Sequence, residues 1–467
     1  MNIQLKQTTI NSDRLSKILG GSLVLTLMLY LSGSALAAKK EHIQKLKETR
    51  VCTECSLRNA DLEGAQLNGA NLQASEMIRA NLTDANLGGA NLQLVDLRLA
   101  NMEGAKLEAA NLRDAQLAEA QLSKASLFHA NLVNAIMEKA ILLETNLISA
   151  NLESANLLDA QLENANLESA NLQKANFLQA NLQKAILKEA NLTQATLQDA
   201  NLEMANLQGA DLTSTNLMGA NLWRTNLQET KINNETKIES LWLNYWKIAN
   251  QDLSGQDLSQ QQIPGINLQA MNLQGINLTQ ANLLGAYLFM ANLQGATLNK
   301  INLRAANLHY TNLTNASLTE ANLFDVDLRR ANLFGANLSK ANLGSAIMVD
   351  TDLRNTTFVE ADLSGANLKE ARVLDADWSK ANLSGANLEN LDLQGVNLTE
   401  VNLAGANLKN ADLQGVNLTE VNLAGANLEN ANLQGANLTK ANLEGANLNN
   451  TNLCGAIDPD RLRIVCQ

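Results

Sequence analysis

The stretch ADLQGVNLTEVNLAGANLEN, residues 411–430, follows a near copy of itself, LDLQGVNLTEVNLAGANLKN, residues 391–410. The copies differ only at Leu391 against Ala411 and at Lys409 against Glu429. Inside each runs a shorter beat, with leucine at Leu393, Leu398, Leu403 and Leu408. No regular element has this period. On an α-helix a step of five turns the side chain by about 140°, which scatters the leucines around the cylinder. On a strand an odd step reverses the face each time. The chain must therefore turn once per unit: a short extended piece, then a corner. If four corners close a loop, residue i+20 lies directly above residue i, and a twenty-residue duplication preserves every vertical neighbour. Such coils are spaced like hydrogen-bonded strands, about 4.8 Å apart.

The same beat fills most of the 467 residues. From Cys55 to about Ile232 a small residue recurs at multiples of five with leucine two places on, as in Ala60/Leu62 and Ala200/Leu202. After an interruption the phase moves by one, as in Ala281/Leu283 and Ala446/Leu448. Leucine fills a narrow tube. The residue two before it also points inward and must be small, while the pair after it faces water. Glycine at the second place of that pair suits a corner. Proline would delete a ladder donor, and Pro264 and Pro459 stand at the array edges.

Composition fits a quasi-one-dimensional stack better than a mixed core: aromatics are 3 % and prolines two. The net charge of −12 is made of interspersed signs, without the basic stripe a nucleic-acid binder needs. No nucleic acid is expected as partner.

The tandem A[ND]LXX pattern, as in ANLESANLLDAQLENANLESANLQKANF (150–177), resembles the pentapeptide-repeat family. The resemblance implies an all-β fold, a right-handed quadrilateral parallel β-helix with leucine or phenylalanine stacked at the central position. Phe177 and Phe358 are the rare phenylalanine substitutes.

The margins divide the chain further. Lys6, Arg14 and Lys17 precede the apolar run 18–37, which ends in Ala35-Leu36-Ala37. Residues 1–37 read as a secretory signal peptide, the rival being an uncleaved anchor and the only membrane contact expected. No cysteine follows the run, which argues against a lipid-anchored protein. Residues 38–50 read as a capping helix with Ile43 and Leu46 inward, 51–232 as the first array, 251–457 as the second, and 458–467 as a C-terminal cap. In the interruption, 233–250, Ile238, Leu241, Trp242, Tyr245, Trp246 and Ala249 follow a helical stripe, and Thr236…Glu239 has capping-box spacing. A degenerate coil with one inserted residue is the rival, because Ile238, Leu243 and Ile248 join the later phase. Trp242, Tyr245 and Trp246 are the candidate partner surface.

All four cysteines lie at the array margins. Cys52 and Cys55 fall in inward slots, and the local pairings are Cys52–Cys55 and Cys454–Cys466. A CxxC also permits a redox dithiol, although no thioredoxin-like βαβ pattern surrounds it. His42, His129 and His309 are scattered, and pairs such as Asp61 and Glu63 read as solvated faces. No catalytic set, metal site or cofactor is expected, and the chain reads as no enzyme.

The expectation is an exported structural or protein-interaction scaffold, periplasmic or in a thylakoid lumen, with roughly eighteen coils or about 85–90 Å of shaft. A second class is DNA mimicry, since some pentapeptide-repeat proteins resemble a duplex and bind DNA gyrase. The signal segment and the alternation of Glu400, Glu420 and Lys440 oppose it. Neither the partner nor the oligomeric state can be read from the repeats.

Overall fold

A computed structural model describes residues 37–460 and Leu462. The signal segment therefore lies outside the described residues but for Ala37, as do Cys466 and most of the final cap. Among the described residues there are two helices, α1 (Lys40–Thr49) and α2 (Ser240–Ala249). Everything else is built from one corner, repeated.

The corner is best read on Ala80-Asn81-Leu82-Thr83-Asp84, where each backbone N–H has a different acceptor. Ala80 closes the turn on Met77 O (3.0 Å), Asn81 donates to Ala60 O below (2.8 Å), and Leu82 to Asn101 O above (2.6 Å). Asp84 also donates upward, to Glu103 O (2.9 Å). The remaining donor, Thr83 N–H, is taken by the side chain of Asn81 at its Oδ1 (3.2 Å). No N–H of the unit is left over, so the coil meets the requirement that buried backbone donors be paired. The second residue after the leucine, Asp84, has φ +54°, as the third residue of a type II turn requires. Asn, Asp, Lys, Glu and Ser hold this conformation along the chain where glycine does not.

Parallel bridges join residues twenty apart, Asn71 to Asn91 and Asn91 to Asn111 in one column, Asn382 to Asn402 and Asn402 to Asn422 in another. Four five-residue sides therefore make a coil. Each side contributes a single bridge residue, so the sheet is a ladder of single bridges.

Inside, leucines and alanines are buried in register. Leu82, Met102, Leu122 and Leu142 form one such column, with methionine standing in for leucine at one level. Each buried leucine contributes about 1.5–3 kcal/mol. At Thr145 and Thr215, which replace alanine, the hydroxyl donates to a leucine-slot carbonyl one coil down, Leu122 O (2.8 Å) and Leu192 O (2.7 Å). The tube also takes larger rings than a narrow column suggests. Trp378 occupies a leucine slot, fully buried, edge-on to Phe358 one coil below (6.3 Å between centroids). The neighbouring slot holds Val373, smaller than leucine, which offsets part of the added volume. The Trp378 indole N–H has no hydrogen-bond partner.

Proline placement is finer than an array-edge rule. Pro264 and Pro459 both stand directly after the central slot, the one position whose N–H goes to a side chain rather than to the backbone ladder. Gln262, not asparagine, stands two before Pro264, where that side-chain acceptor has no donor to serve.

The described chain forms two compact units, Met1–Asn221 with Thr230–Glu239, and Leu222–Glu229 with Ser240–Gln467. In the first, α1 lays a buried Leu46 over the opening coil and leaves Ile43 half-buried. Residues 230–239 pair with that unit's last coils: Lys231 N donates to Ala210 O (3.0 Å) and Lys237 N to Thr215 O (2.9 Å). The Asn216–Lys237 bridge spans twenty-one residues instead of twenty. The inserted residue is absorbed at Asn233, whose Oδ1 accepts from Glu235 N (3.1 Å) and Thr236 N (3.0 Å). Coil bridging thus runs as far as Lys237, and a helix follows from Ser240. Thr236 does not cap that helix. Its hydroxyl donates to Leu212 O (3.0 Å).

In the second unit, residues 222–229, which carry the first phase in sequence, stack on the second array. Arg224 N donates to Gly265 O (2.8 Å), its guanidinium reaches Gly285 O (2.5 Å) and Ala305 O (3.2 Å), and Asn267 Nδ2 returns a bond to Arg224 O (3.0 Å). Gly265 has φ +69°, and a Cβ there would sit 2.3 Å from the Trp223 ring, so only glycine fits.

Inside and outside should separate cleanly on mutation. Leu283→Arg places a charge in the tube and is expected to melt its unit's coils early. Asn402→Ala deletes the acceptor of Ala404 N and both side-chain bonds of its column, costing about 1–3 kcal/mol. Glu420→Lys, on an exposed position, is expected to be nearly silent. Thermal melts followed by circular dichroism test the order, and equal melting of the arginine and lysine variants would contradict it.

Candidate interaction surfaces

Outward positions are the residue before the central leucine and the two after it. The first of these is usually asparagine, and its work is structural. Its Oδ1 caps the turn, while its Nδ2 donates to the asparagine one coil below: Asn407 to Asn387 (3.1 Å), Asn427 to Asn407 (3.1 Å), Asn447 to Asn427 (2.9 Å). These ladders were not anticipated from the sequence, although the signal was there in the frequency of Asn or Asp before leucine. The sequence varies more at the following pair.

On most coils that pair is small, polar or singly charged. In the second unit, one column after the leucine slot reads Lys300, Glu320, Lys340, Glu360, Lys380, Glu400, Glu420, Lys440. Its vertical ion pairs include Lys300–Glu320 (3.5 Å), Lys340–Glu360 (3.7 Å) and Lys440–Glu420 (2.6 Å). All are exposed, and their contribution to stability is small.

Between Leu284 and Leu374 the composition changes. Tyr287 stacks on Phe289 (6.1 Å between centroids, 15°), His309 on Tyr310 (4.3 Å, 10°), and Phe289 meets both residues of the latter pair edge-on. Guanidiniums lie over rings one coil away: Arg330 over Tyr310 (5.7 Å), Arg304 over Phe324 (5.5 Å), Arg354 over Phe334 (5.6 Å). Arg329 holds Asp327 in a two-pronged pair (2.9 and 2.6 Å). His309, Arg329, Arg330, Val349 and Asp350 line a recess of about 330 Å³.

Asp352 is the most buried acid in this region and takes Arg354 (2.8 Å) and Arg372 (2.7 Å). Burial pushes its carboxyl up, but hydrogen bonds from Arg354 and the charges of Arg372 and Arg354 outweigh it, holding the group below the ordinary carboxylate range. Asp327 is lowered in the same way, burial opposed by Arg329. None of this was singled out from the sequence, because residues twenty apart look unrelated until the coil is closed.

The aromatic stripe of α2 is placed otherwise than a free surface. Trp242 and Tyr245 are buried, in edge-on contact with each other (5.1 Å), and the Tyr245 hydroxyl donates to Pro264 O. Burial raises the Tyr245 hydroxyl well above its ordinary pKa. Trp246 is half-buried, and the residue of this helix most open to solvent among its apolar ones is Leu241.

Cys52 and Cys55 are joined in the first coil, with Cα atoms 5.4 Å apart. Both are buried, at 0 % and 2 % exposure. His42 of α1 lies beside them, its Nδ1 accepting from Ser56 N (2.9 Å). Cys454 is also disulfide-bonded, and Cys466, assigned to it from the sequence, lies outside the described residues. Among the described residues no cluster of three or more His, Cys, Asp or Glu could hold a metal ion, and no helix is long and apolar enough to cross a membrane.

The chain matches the description "Pentapeptide repeats (8 copies)" over 51–114, 120–234, 265–339, 381–419 and 422–457, and "Pentapeptide repeat region" over 321–398. It belongs to the pentapeptide-repeat family. For a pentapeptide-repeat protein the closed coils described above are those of a right-handed β-helix, and the family is one of structural repeat proteins.

Solved structures similar to this pentapeptide-repeat chain include HetL, involved in heterocyst differentiation regulation in the cyanobacterium Nostoc sp. strain PCC 7120. It is 30 % identical over 62 % of this chain and 93 % of its own, with a TM-score of 0.18. QnrB1, a plasmid-mediated fluoroquinolone resistance protein, is 15 % identical over 42 % and 98 %, TM-score 0.23. A pentapeptide repeat protein from the Arabidopsis thaliana thylakoid lumen is 25 % identical over 28 % and 71 %, TM-score 0.10. No curated protein matches the chain. Family membership rests on the repeat match and not on these superpositions.

The burial of the Cys52–Cys55 bridge has a direct consequence. In the folded protein it should resist mild thiol reductants and open only on denaturation. Thiol titration with and without denaturant tests this, and ready, reversible reduction of the folded chain would contradict it.

Proposed function

We propose that this pentapeptide-repeat protein is an exported, non-enzymatic structural or protein-interaction scaffold. The observation that carries the reading is the division of labour within each repeat. The inward leucine and alanine and every backbone donor are consumed by the coil, as at Ala80–Asp84, while the pair after the leucine varies without cost to the fold. A surface of that kind presents partner-specific side chains on an unchanging backbone. The ion pairs among the described residues join arginine or lysine to aspartate or glutamate, charges that neutralise each other rather than setting up an acid and a base.

Export, to a periplasm or a thylakoid lumen, is supported by the basic-then-apolar leader with its Ala35-Leu36-Ala37 ending and by four cysteines at the margins. DNA mimicry finds less support. A duplex mimic needs an unbroken acidic stripe, and the long charged column of the second unit mixes lysine with glutamate from Lys300 to Lys440. A redox role for Cys52 and Cys55 is opposed by their burial beneath α1.

Cell fractionation tests the reading. The processed chain is expected in the exported fraction, and immobilised protein is expected to retain a specific partner that outward substitutions release. Recovery of the unprocessed chain in the cytosol would overturn it.

A further inference from the structure

The ladder of the second unit misses two rungs, and both lie against one coil. From Asp257 to Ile457, bridges join residues twenty apart without a gap except at Arg372–Asp392 and Asn397–Asn417. The backbone bonds fail at the same places. Leu353 N donates to Arg372 O (2.7 Å) and Leu393 N to Asp412 O (2.8 Å), but Val373 N, between them in the same column, has no acceptor among the described residues. Leu398 N is likewise unbonded, between Trp378 N, which donates to Asn397 O (2.9 Å), and Leu418 N, which donates to Asn437 O (2.8 Å). The corner amides of Asp375, Gly395 and Glu400 also lack the upward bond that Asn355 and Glu420 make.

The coil between the two gaps, 391–410, is overfilled. A regular coil such as 150–169 buries alternating alanines and leucines. Coil 391–410 instead puts Leu391, Val396 and Val401 in alanine slots, all buried, and Leu398 lies directly above the indole of Trp378. Excess volume in a packed interior is relieved by moving backbone. Neither feature acts alone. Ile266 and Ile276 are buried in alanine slots of one coil, yet its rungs Asn267–Tyr287 and Asn277–Thr297 are kept. Phe177 and Phe358 fill leucine slots beneath the intact rungs Asn176–Thr196 and Thr357–Asp377. In the duplicate coil 411–430, Ala411 replaces Leu391 while Val416 and Val421 remain, and all four rungs to the coil above are present.

We infer that coil 391–410 is a joint, at which the second array opens along one edge and bends about the other. The two gaps lie on adjoining sides that share the corner at Gly395. The remaining two sides keep both levels, Asn382–Asn402–Asn422 and Asn387–Asn407–Asn427, and form the hinge. On the first opened side the gap coincides with a recess of about 330 Å³ whose lining includes Arg354, Arg372, Leu374, Asp392 and Gln394. An unbroken ladder moves as one piece, and local opening starts where backbone bonds are fewest. The joint follows the aromatic–arginine band, which ends at Leu374, so the coils on either side of it change their mutual angle without unfolding. The inference goes beyond the scaffold reading and does not rest on it, since it concerns the ladder alone.

Hydrogen exchange on the full chain, resolved to single amides by mass spectrometry, tests the opening. Val373, Asp375, Gly395, Leu398 and Glu400 are expected to exchange about tenfold or more faster than Leu353, Asn355, Gly415, Leu418 and Glu420, their counterparts in neighbouring coils. The double variant Trp378→Leu/Leu391→Ala restores ordinary residues to both slots and should slow the first set to the rate of the second, with circular dichroism checking the fold. Should that variant fail to fold, Trp378→Phe carries the comparison, because phenylalanine is already accommodated at Phe177 and Phe358. Spin labels at Thr314→Cys and Gln434→Cys span the joint in one column and test the bending. Their distance distribution should be broad in the otherwise unaltered chain and narrow in the double variant. Equal exchange in the two sets overturns the inference. So does fast exchange that the folded variants leave unchanged, or a single narrow distance before any slot is altered.

Discussion

One hydrogen bond makes the repeat possible. At each corner a backbone N–H points where neither neighbouring coil offers a carbonyl, and where asparagine or aspartate stands two residues back its side chain supplies the acceptor, as Asn81 does for Thr83. Without it each side that carries the asparagine would leave one donor unsatisfied, at a cost of about 1–3 kcal/mol if buried. Repeated over the array that would exceed the whole stability of an ordinary domain. The same asparagine then uses its amide to bond the coil below. Turn and stack are specified by one side chain, which explains why Asn or Asp precedes leucine so regularly while the next two positions drift.

The interior follows from the corner. Once the turn fixes which residues face the axis, the tube accepts what the local volume allows. Leucine over leucine is the rule, Thr145 and Thr215 are admitted because their hydroxyls reach a carbonyl below, and Trp378 is admitted beside the smaller Val373. The outside is constrained only by vertical neighbours, which is why lysine and glutamate alternate along the column from Lys300 to Glu360.

Much of the fold was legible from the beat of five and the duplication of twenty, because both are direct images of the coil. The inward slots of Cys52 and Cys55 and the twenty-residue register are read the same way. The finer organisation was not legible. The segment 222–229 keeps the phase of the first array yet stacks on the second, because Arg224 and Trp223 bind Gly265 and its neighbours, contacts about forty residues apart in the chain. The helical stripe of 240–249 was visible, but periodicity does not say which way a stripe faces, and the structure turns Trp242 and Tyr245 inward. The aromatic–arginine band was hidden for a related reason. Arg304 and Phe324, or Arg330 and Tyr310, become neighbours only after each coil is closed.

The central claim is vertical register, and double-cysteine cross-linking at outward positions measures it most directly. Gln414→Cys with Gln434→Cys places two thiols one coil apart on one face. Gln414→Cys with Thr439→Cys places the second on the next side. A short bifunctional reagent, read by mass spectrometry on the folded protein, should join the first pair and leave the second unlinked. Preferential linking of the pair twenty-five apart would contradict the five-residue side and the four-sided coil built from it.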